Sequence, residues 1–349
     1  MEDNKIGKAI SYLRKRAGYT QKDLADRIGV SDKTVSKWER GQGLPEVAYL
    51  RKLSILLDTD TDSLLAGDVV HHDAGWSGVI VLERNNYGIG ADTLIYDKPL
   101  VYFLLSYFLL VGIRNITVVG TEQDREYIQK TIGDGSAFGI KLRIVTGGLA
   151  EAEASQGNIM LVYGRCLLYG VDQTRFFQKA MIDRDRFTML VLPKKISHSS
   201  NRIVIDQNRK VIYSSADESL KTQYDFSDIP FLFFPASLLS SIAAASSVSA
   251  FISAYAAEQE IYVQTLDRGF VEIEIDDWNN VQEASTFLKI VQDKCGMNVY
   301  CLEEVAWRRG MISLEQLREH GKRQQGTEYG EYILSLYART KRDQRPNDL

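Results

Sequence analysis

The sequence predicts an α/β protein in two parts: an all-α head, then a larger domain built on a parallel sheet covered by helices. Three observations carry this expectation. Residues 21–41, QKDLADRIGVSDKTVSKWERG, set two short amphipathic helices against each other around a tight turn. From Ser77 onward, short β-rich runs alternate with helical patterns, the rhythm of parallel strands joined by crossover helices. The chain has 349 residues, too many for one small domain, and length alone points to about two or three domains.

In the head, Thr20 is placed to cap a helix whose apolar positions Leu24, Ala25 and Ile28 fall on one face. Gly29 ends it. Ser31 offers a hydroxyl to the first amides of a second helix, in which Val35 and Trp38 point inward. The other face carries Asp32, Lys33, Thr34, Ser36, Lys37 and Arg40, short or cationic groups of the kinds that reach base edges and phosphates in a major groove. An opening helix supplies Ile6, Ile10 and Leu13, and a helix after Pro45 supplies Leu50, Leu53 and Leu57.

Gln21, Leu24, Ala25, Gly29, Val30, Ser31, Val35, Ser36, Trp38, Glu39 and Gly41 resemble the Cro-like (phage-repressor, XRE-type) helix-turn-helix family. The resemblance implies a five-helix DNA-binding domain over residues 1–66. It places Gln21 and the start of the second helix at the DNA backbone and Lys33, Thr34 and Lys37 facing the bases; Lys22, Ser31, Ser36 and Arg40 complete the expected DNA-binding set. Charge agrees. Residues 1–57 hold 12 Lys and Arg against 7 Asp and Glu, net +5, whereas the remainder holds 30 against 39, net −9. The expected partner is double-stranded DNA, bound by a homodimer on paired half-sites.

The boundary falls in residues 67–77, where Gly and Asp replace the helical pattern and the paired His71 and His72 are expected in solvent. Three cysteines, Cys166, Cys295 and Cys301, have no metal-binding spacing and suit a reducing cytoplasm. The start MEDNKIGKA has no apolar core of a leader, and the longest apolar run, Leu100 to Ile113, is too short to span a bilayer, so no membrane partner is expected. Residues 237–257, rich in Ala and Ser, read as one helix, and residues 341–349 as a loose tail.

In the larger domain, residues 77–82 (SGVIVL), a helix through Leu104 and Leu110, NITVVG, a helix from Gln123 and KLRIV follow one another. Sheets of this kind bind ligands beyond the carboxyl ends of their strands. Residues 95–121, 132–142, 148–152, 283–288, 296–312 and 329–334 resemble the sugar-phosphate nucleotidyltransferases, above all glucose-1-phosphate thymidylyltransferases. The resemblance implies a Rossmann-like domain over residues 78–340 with a mixed, mainly parallel sheet. Its enzymes join a nucleoside triphosphate to a sugar 1-phosphate. They need a glycine-rich loop with an Arg for the triphosphate and carboxylates for magnesium.

Several of those requirements are unmet. Residues 83–95, ERNNYGIGADTLI, lack the paired glycines and the catalytic Arg and Lys; Gly88 and Gly90 alone do not make such a loop, and Arg84 reads as a surface arginine. Residues 158–170, NIMLVYGRCLLYG, read as the next strand, and where the corresponding family strand ends in a metal-binding Asp this chain has Arg165, a cation that repels magnesium. The second carboxylate falls at Glu274, with Asp276 and Asp277 beside it. Arg165 and Glu274 are expected to form a metal-free ion pair, or Arg165 to grip a ligand phosphate, or the pair to be a relic of decay. Glu151, within GLAEA, completes the candidate ligand-binding set. Sugar-phosphate groups are replaced at residues 214–217 and 249–255, and Thr146 and Gly147 stand near the place of a base-reading Gln.

An intact reading head on a scaffold with erased chemistry predicts a transcriptional regulator. Its large domain would sense a nucleotide sugar or sugar phosphate, or supply the two-fold axis, with no catalytic residue and no cofactor. The alternative is an active nucleotidyltransferase with a regulatory head, which alone would require magnesium.

Overall fold

The computed structural model describes residues 4–16, 19–57, 59, 61–66, 75–82, 86–152, 157–164, 166–193, 202–205, 211–214 and 226–343. The head is helical: α1 (Lys5–Arg16), α2 (Gln21–Ile28), α3 (Asp32–Glu39), α4 (Val47–Leu56) and α5 (Thr61–Ala66). They close over a core of their own, in which Ile10, Leu24, Val35, Leu53 and Leu64 are fully buried. Pro45 is buried between α3 and α4.

The second domain opens with β1 (Trp76–Val81), β2 (Leu94–Ile95), β3 (Lys98–Pro99), α6 (Leu100–Leu110), β4 (Asn115–Val119), α7 (Glu122–Thr131) and β5 (Lys141–Val145). It continues through β6 (Asn158–Tyr163), β7 (Cys166–Tyr169), α8 (Gln173–Ala180), β8 (Thr188–Pro193), β9 (Arg202–Ile205), β10 (Val211–Ser214) and β11 (Phe226–Pro235). Then come α9 (Leu239–Ala244), α10 (Val248–Glu258), β12 (Tyr262–Thr265), β13 (Val271–Glu274), α11 (Trp278–Cys295), α12 (Leu302–Arg308), α13 (Leu314–Arg323) and α14 (Glu328–Asp343).

Among the described residues, nine strands form one sheet in the order β10-β9-β11-β6-β1-β4-β5, with β8 and β12 branching from β11. Only β10 and β11 run against the other strands, so the sheet is mixed and mainly parallel. Strand alternation feeds two cores: Trp76 and Ile80 of β1 enter one, Val79 and Val81 the other. α6, LVYFLLSYFLL, is apolar nearly all round because it is buried against the first face. Gly78 permits that contact, since a Cβ there would stand 2.5 Å from the Phe108 ring.

Four local expectations change. Residues 237–257 are not one helix: α9 and α10 meet at a 117° bend, because Ser247 leaves the helical path and its hydroxyl accepts the Ala250 amide at 3.0 Å as a new cap. The run 158–170 is two strands, β6 and β7, with Gly164 at φ 78 between them. β1 starts at Trp76, inside the expected linker, whose residues 67–74 lie outside the described set. α14 carries Lys341 to within 3.2 Å of Glu315, so the expected loose tail begins as helix. No single described helix is long and apolar enough to cross a membrane.

Candidate functional site

The candidate DNA-contacting side chains gather around the α2–α3 turn, and local chemistry sets its shape. Thr20 caps α2 by a capping box: its hydroxyl accepts the Asp23 amide at 3.0 Å, and the Asp23 carboxylate accepts the Thr20 amide at 2.8 Å. The Thr20 hydroxyl, which also donates to Asp23 Oδ2 at 2.7 Å, and then the Thr20 amide hold the Asp23 carboxyl below its ordinary range. Gly29 stops α2 at φ 83, a left-handed conformation that a side chain rarely adopts. Ser31 then caps α3, accepting the Thr34 amide at 3.1 Å, and its hydroxyl lies 2.8 Å from that of Thr34.

From this start α3 turns Val35 and Trp38 into the core. Lys33, Lys37 and Arg40 are exposed, as are Lys22 and Ser31, while Gln21, Thr34 and Ser36 are half-buried. Arg40 bends back, its Nε donating to the Ser36 carbonyl at 3.2 Å. One face therefore offers three cations and three hydroxyls, and the opposite face is core.

A buried clasp behind this face escaped the sequence. Arg14 of α1 donates through Nε and Nη2 to both Glu39 oxygens, at 2.5 and 3.1 Å, and Gln21 Nε2 donates to Glu39 Oε2 at 2.7 Å. Arg14 Nη1 also reaches the Tyr19 carbonyl at 2.7 Å, and Asn4 Nδ2 the Glu39 carbonyl at 3.0 Å. Burial pushes the Glu39 carboxyl up, but the hydrogen bonds from Arg14 and Gln21 and the Arg14 charge outweigh it, so the group sits below its ordinary range. Gln21, expected at the DNA backbone, thus also spends its amide nitrogen in locking the start of α2 to the end of α3.

In the large domain, residues 86–93 belong to the segment 83–95, which the resemblance sets against the triphosphate loop. Ile89 and Ala91 are fully buried in the core. The Gly90 amide donates to Thr93 Oγ1 and the Ala91 amide to Asp124 Oδ1, each at 2.9 Å. Asp124, fully buried, also completes a capping box with Thr121 at the start of α7. Amides that a phosphate loop aims at its ligand are here bonded within the protein, two of them facing a carboxylate or hydroxyl. The TEQD cap is legible in the sequence; its second bond, across 33 residues to Ala91, is not.

Glu274 ends β13, exposed and in register with Cys166 of β7. Its proposed partner Arg165, like Arg84, His71 and His72, lies outside the described residues. Glu151 is exposed on a one-turn 3-10 segment (Leu149–Glu151), where it accepts the Gly147 amide at 3.3 Å. Asp277 is used as the cap of α11, accepting the Asn280 amide at 2.8 Å.

Comparison with known proteins agrees with both halves. A family model described as Helix-turn-helix matches residues 10–64, and one described as Nucleotidyl transferase matches residues 93–200. The chain joins a helix-turn-helix domain to a nucleotidyltransferase domain. The nucleotidyltransferase part is 29% identical over 259 residues to the glucose-1-phosphate thymidylyltransferase of Neisseria gonorrhoeae, covering 69% of this chain and 90% of that protein. The corresponding protein of Mycolicibacterium smegmatis is 28% identical over 288 residues, 76% of this chain and 98% of its own. A solved Bacillus anthracis protein, provisionally described as a glucose-1-phosphate thymidylyltransferase in complex with a sucrose, aligns with a TM-score of 0.50 at 12% identity, covering 61% of this chain and 94% of that one. That likeness shows the fold.

Nucleotidyltransferase chemistry implies magnesium, and the carboxylates near the expected position are Glu274, Asp276 and Asp277. Asp277 is committed to a helix cap, and among the described residues no three His, Cys, Asp or Glu side chains are grouped to hold a metal ion.

Proposed function

We propose that the protein is a sequence-specific, DNA-binding transcriptional regulator of the cytoplasm. Its nucleotidyltransferase-like domain serves as an effector sensor, a dimerisation platform or both. The observation that carries this reading is the capped α3, which presents Lys33, Thr34 and Lys37 outward while the Arg14–Glu39–Gln21 clasp fixes its angle to α2. The internally bonded loop at Gly90 and Ala91 supports a domain that binds without turning over. The effector class in this reading is a nucleotide sugar or sugar phosphate, with Arg165, Glu274 and Glu151 as its contacts. It would act by favouring one arrangement of a homodimer.

Selection of bound fragments from genomic DNA, followed by gel shifts across a salt series, tests the reading. A defined motif with affinity falling steeply in salt supports it, because released counterions report phosphate contacts. Uniform failure to bind DNA refutes it. Calorimetry with a panel of nucleotides and sugar phosphates separates sensor from platform, and Arg165→Glu should abolish any phosphate-dependent heat. The names of the curated relatives favour a second reading, an active thymidylyltransferase with a regulatory head. Pyrophosphate release from a nucleoside triphosphate and glucose 1-phosphate with magnesium would establish it.

A further inference from the structure

We infer that α11 pairs antiparallel with α11 of a second copy of this chain about a two-fold axis, through the face that carries Glu283, Phe287, Ile290 and Lys294. This rests on the reading of the large domain as a dimerisation platform and places the platform on one helix. α11 is the longest described helix, with 18 residues, about 27 Å from end to end. Val281, Ala284 and Leu288 turn into the core. On the outer side Glu283, Lys294 and Ile290 are exposed, the apolar Ile290 by 56%. Phe287 stands half-buried between them, its ring held edge-on by Tyr169 of β7 at 5.5 Å.

Helical spacing gathers these four residues into one seam. Glu283 and Lys294 are three turns apart, so they lie on the same side with about 17 Å of helix between them, and Phe287 and Ile290 fill that interval. A hollow of about 510 Å³ lies on this face, and the described residues that line it all belong to α11: Asn279, Gln282, Glu283, Thr286, Phe287 and Ile290. A groove walled by one helix has room for the ridge of another. Among the described residues neither Glu283 nor Lys294 has an ion pair or a side-chain hydrogen bond, and neither has an opposite charge three or four residues away on α11.

The charges choose the partner and its direction. Two such seams laid parallel would set Glu against Glu and Lys against Lys. Laid antiparallel, they turn both repulsions into attractions. The midpoint of Glu283 and Lys294 is also the midpoint of Phe287 and Ile290, between Leu288 and Lys289. A two-fold axis through that point therefore sets Glu283 of each copy against Lys294 of the other, and Phe287 against Ile290 twice at the centre, the self-complementarity that an isologous contact requires. One helix pair is small beside the roughly 1,200–2,000 Å² of stable interfaces. Such a contact is weak in free solution and strengthens when both heads hold half-sites of one duplex, because it then forms at a high local concentration.

The test is sedimentation of the full chain across a concentration series, free and with a duplex carrying the selected motif. The proteins are wild type, Glu283→Lys, Lys294→Glu, the double exchange Glu283→Lys/Lys294→Glu and Ile290→Asp, with melting curves to check folding; all three positions are exposed. Wild type should dimerise as concentration rises, and at lower concentration on the duplex. Each single exchange makes both charge pairs repulsive and should weaken dimerisation on the order of tenfold at low salt, and less at high salt. The double exchange restores both attractions in reverse order and should recover the dimer, a rescue that general damage to the helix would not give. If wild type dimerises and neither the single exchanges nor Ile290→Asp alter it, another surface supplies the two-fold; the α11 pair is refuted and the platform reading stands. A monomer at every concentration, free and on the duplex, overturns the pair and the platform reading together. If that monomer's DNA affinity also changes with Ile290→Asp, the face covers the chain's own head instead of a second copy.

Discussion

Glu39 ties together parts of the head that are distant in sequence, receiving Arg14 from α1 and Gln21 from α2 at the end of α3. Glu39→Gln keeps the shape but removes the charge, and should lower head stability at neutral pH by about 1–3 kcal/mol, the cost of a buried hydrogen-bonding group left poorly matched. The sign with pH follows from the depressed carboxyl. Its stabilisation is present above the unfolded value of about 4.3 and is lost as pH falls through the folded one, so wild type and variant should converge in acid. Melting curves for both proteins across that range check it; a gap that persists in acid would mean the clasp acts by shape alone. Lys33 and Lys37 make the opposite case, being exposed and without core contacts. Lys33→Ala and Lys37→Ala should leave melting unchanged while each costs about 1–3 kcal/mol of discrimination for the selected DNA site, read by competition binding. These surface positions were legible in the sequence because helical spacing alone puts them opposite Val35 and Trp38. The Arg14–Glu39 pair was not, since 25 residues separate partners that only the folded head brings together.

At the scale of elements, the parts set by neighbours in sequence were readable: Thr20, Gly29 and Ser31 bound α2 and α3 where their cap chemistry says they should. Gly29→Ala measures how much that chemistry contributes. Nothing lies within 4 Å of the added Cβ, so the cost is backbone strain at φ 83 without a clash, about 1–2 kcal/mol, visible as a lower melting temperature of the head. Asn at the same position should recover part of the loss, because Asn tolerates the left-handed region; equal loss for both would point to something other than φ. Elements whose fate depends on distant partners were read less well. Residues 237–257 look like one Ala-rich helix, yet Ser247 breaks them, and α9 lays Leu239 and Ile242, α10 Phe251 and Ile252, into the same buried cluster. Likewise β11 runs against its neighbours, a direction that alternating hydrophobicity cannot reveal. The burial of Ile89 and Ala91 belongs here too, since the Ala91 amide is held by Asp124 of another element.

At the scale of the whole molecule, the cores decide how the two domains answer heat. Among the described residues, the head's buried cluster, from Ala9 to Leu64, contains no residue of the large domain, whose two clusters share one sheet. Separate cores joined by a short linker should unfold in separate transitions, since cooperativity follows shared buried surface. Leu24→Ala, at a fully buried head position, should cost the head about 2–5 kcal/mol and leave the other transition in place. Leu161→Ala, equally buried in the large domain, should do the reverse. Scanning calorimetry of the three proteins resolves this, and a single transition moved by both substitutions would show that the domains share an interface. The same experiment bears on sensing. An effector that binds only the folded large domain raises its transition by mass action, about 2.7 kcal/mol at a hundredfold excess over Kd. If sensing works by rearranging a dimer, the head transition should stay where it was while DNA affinity changes. If the effector instead moves the head transition as well, the signal passes through direct contact between the domains.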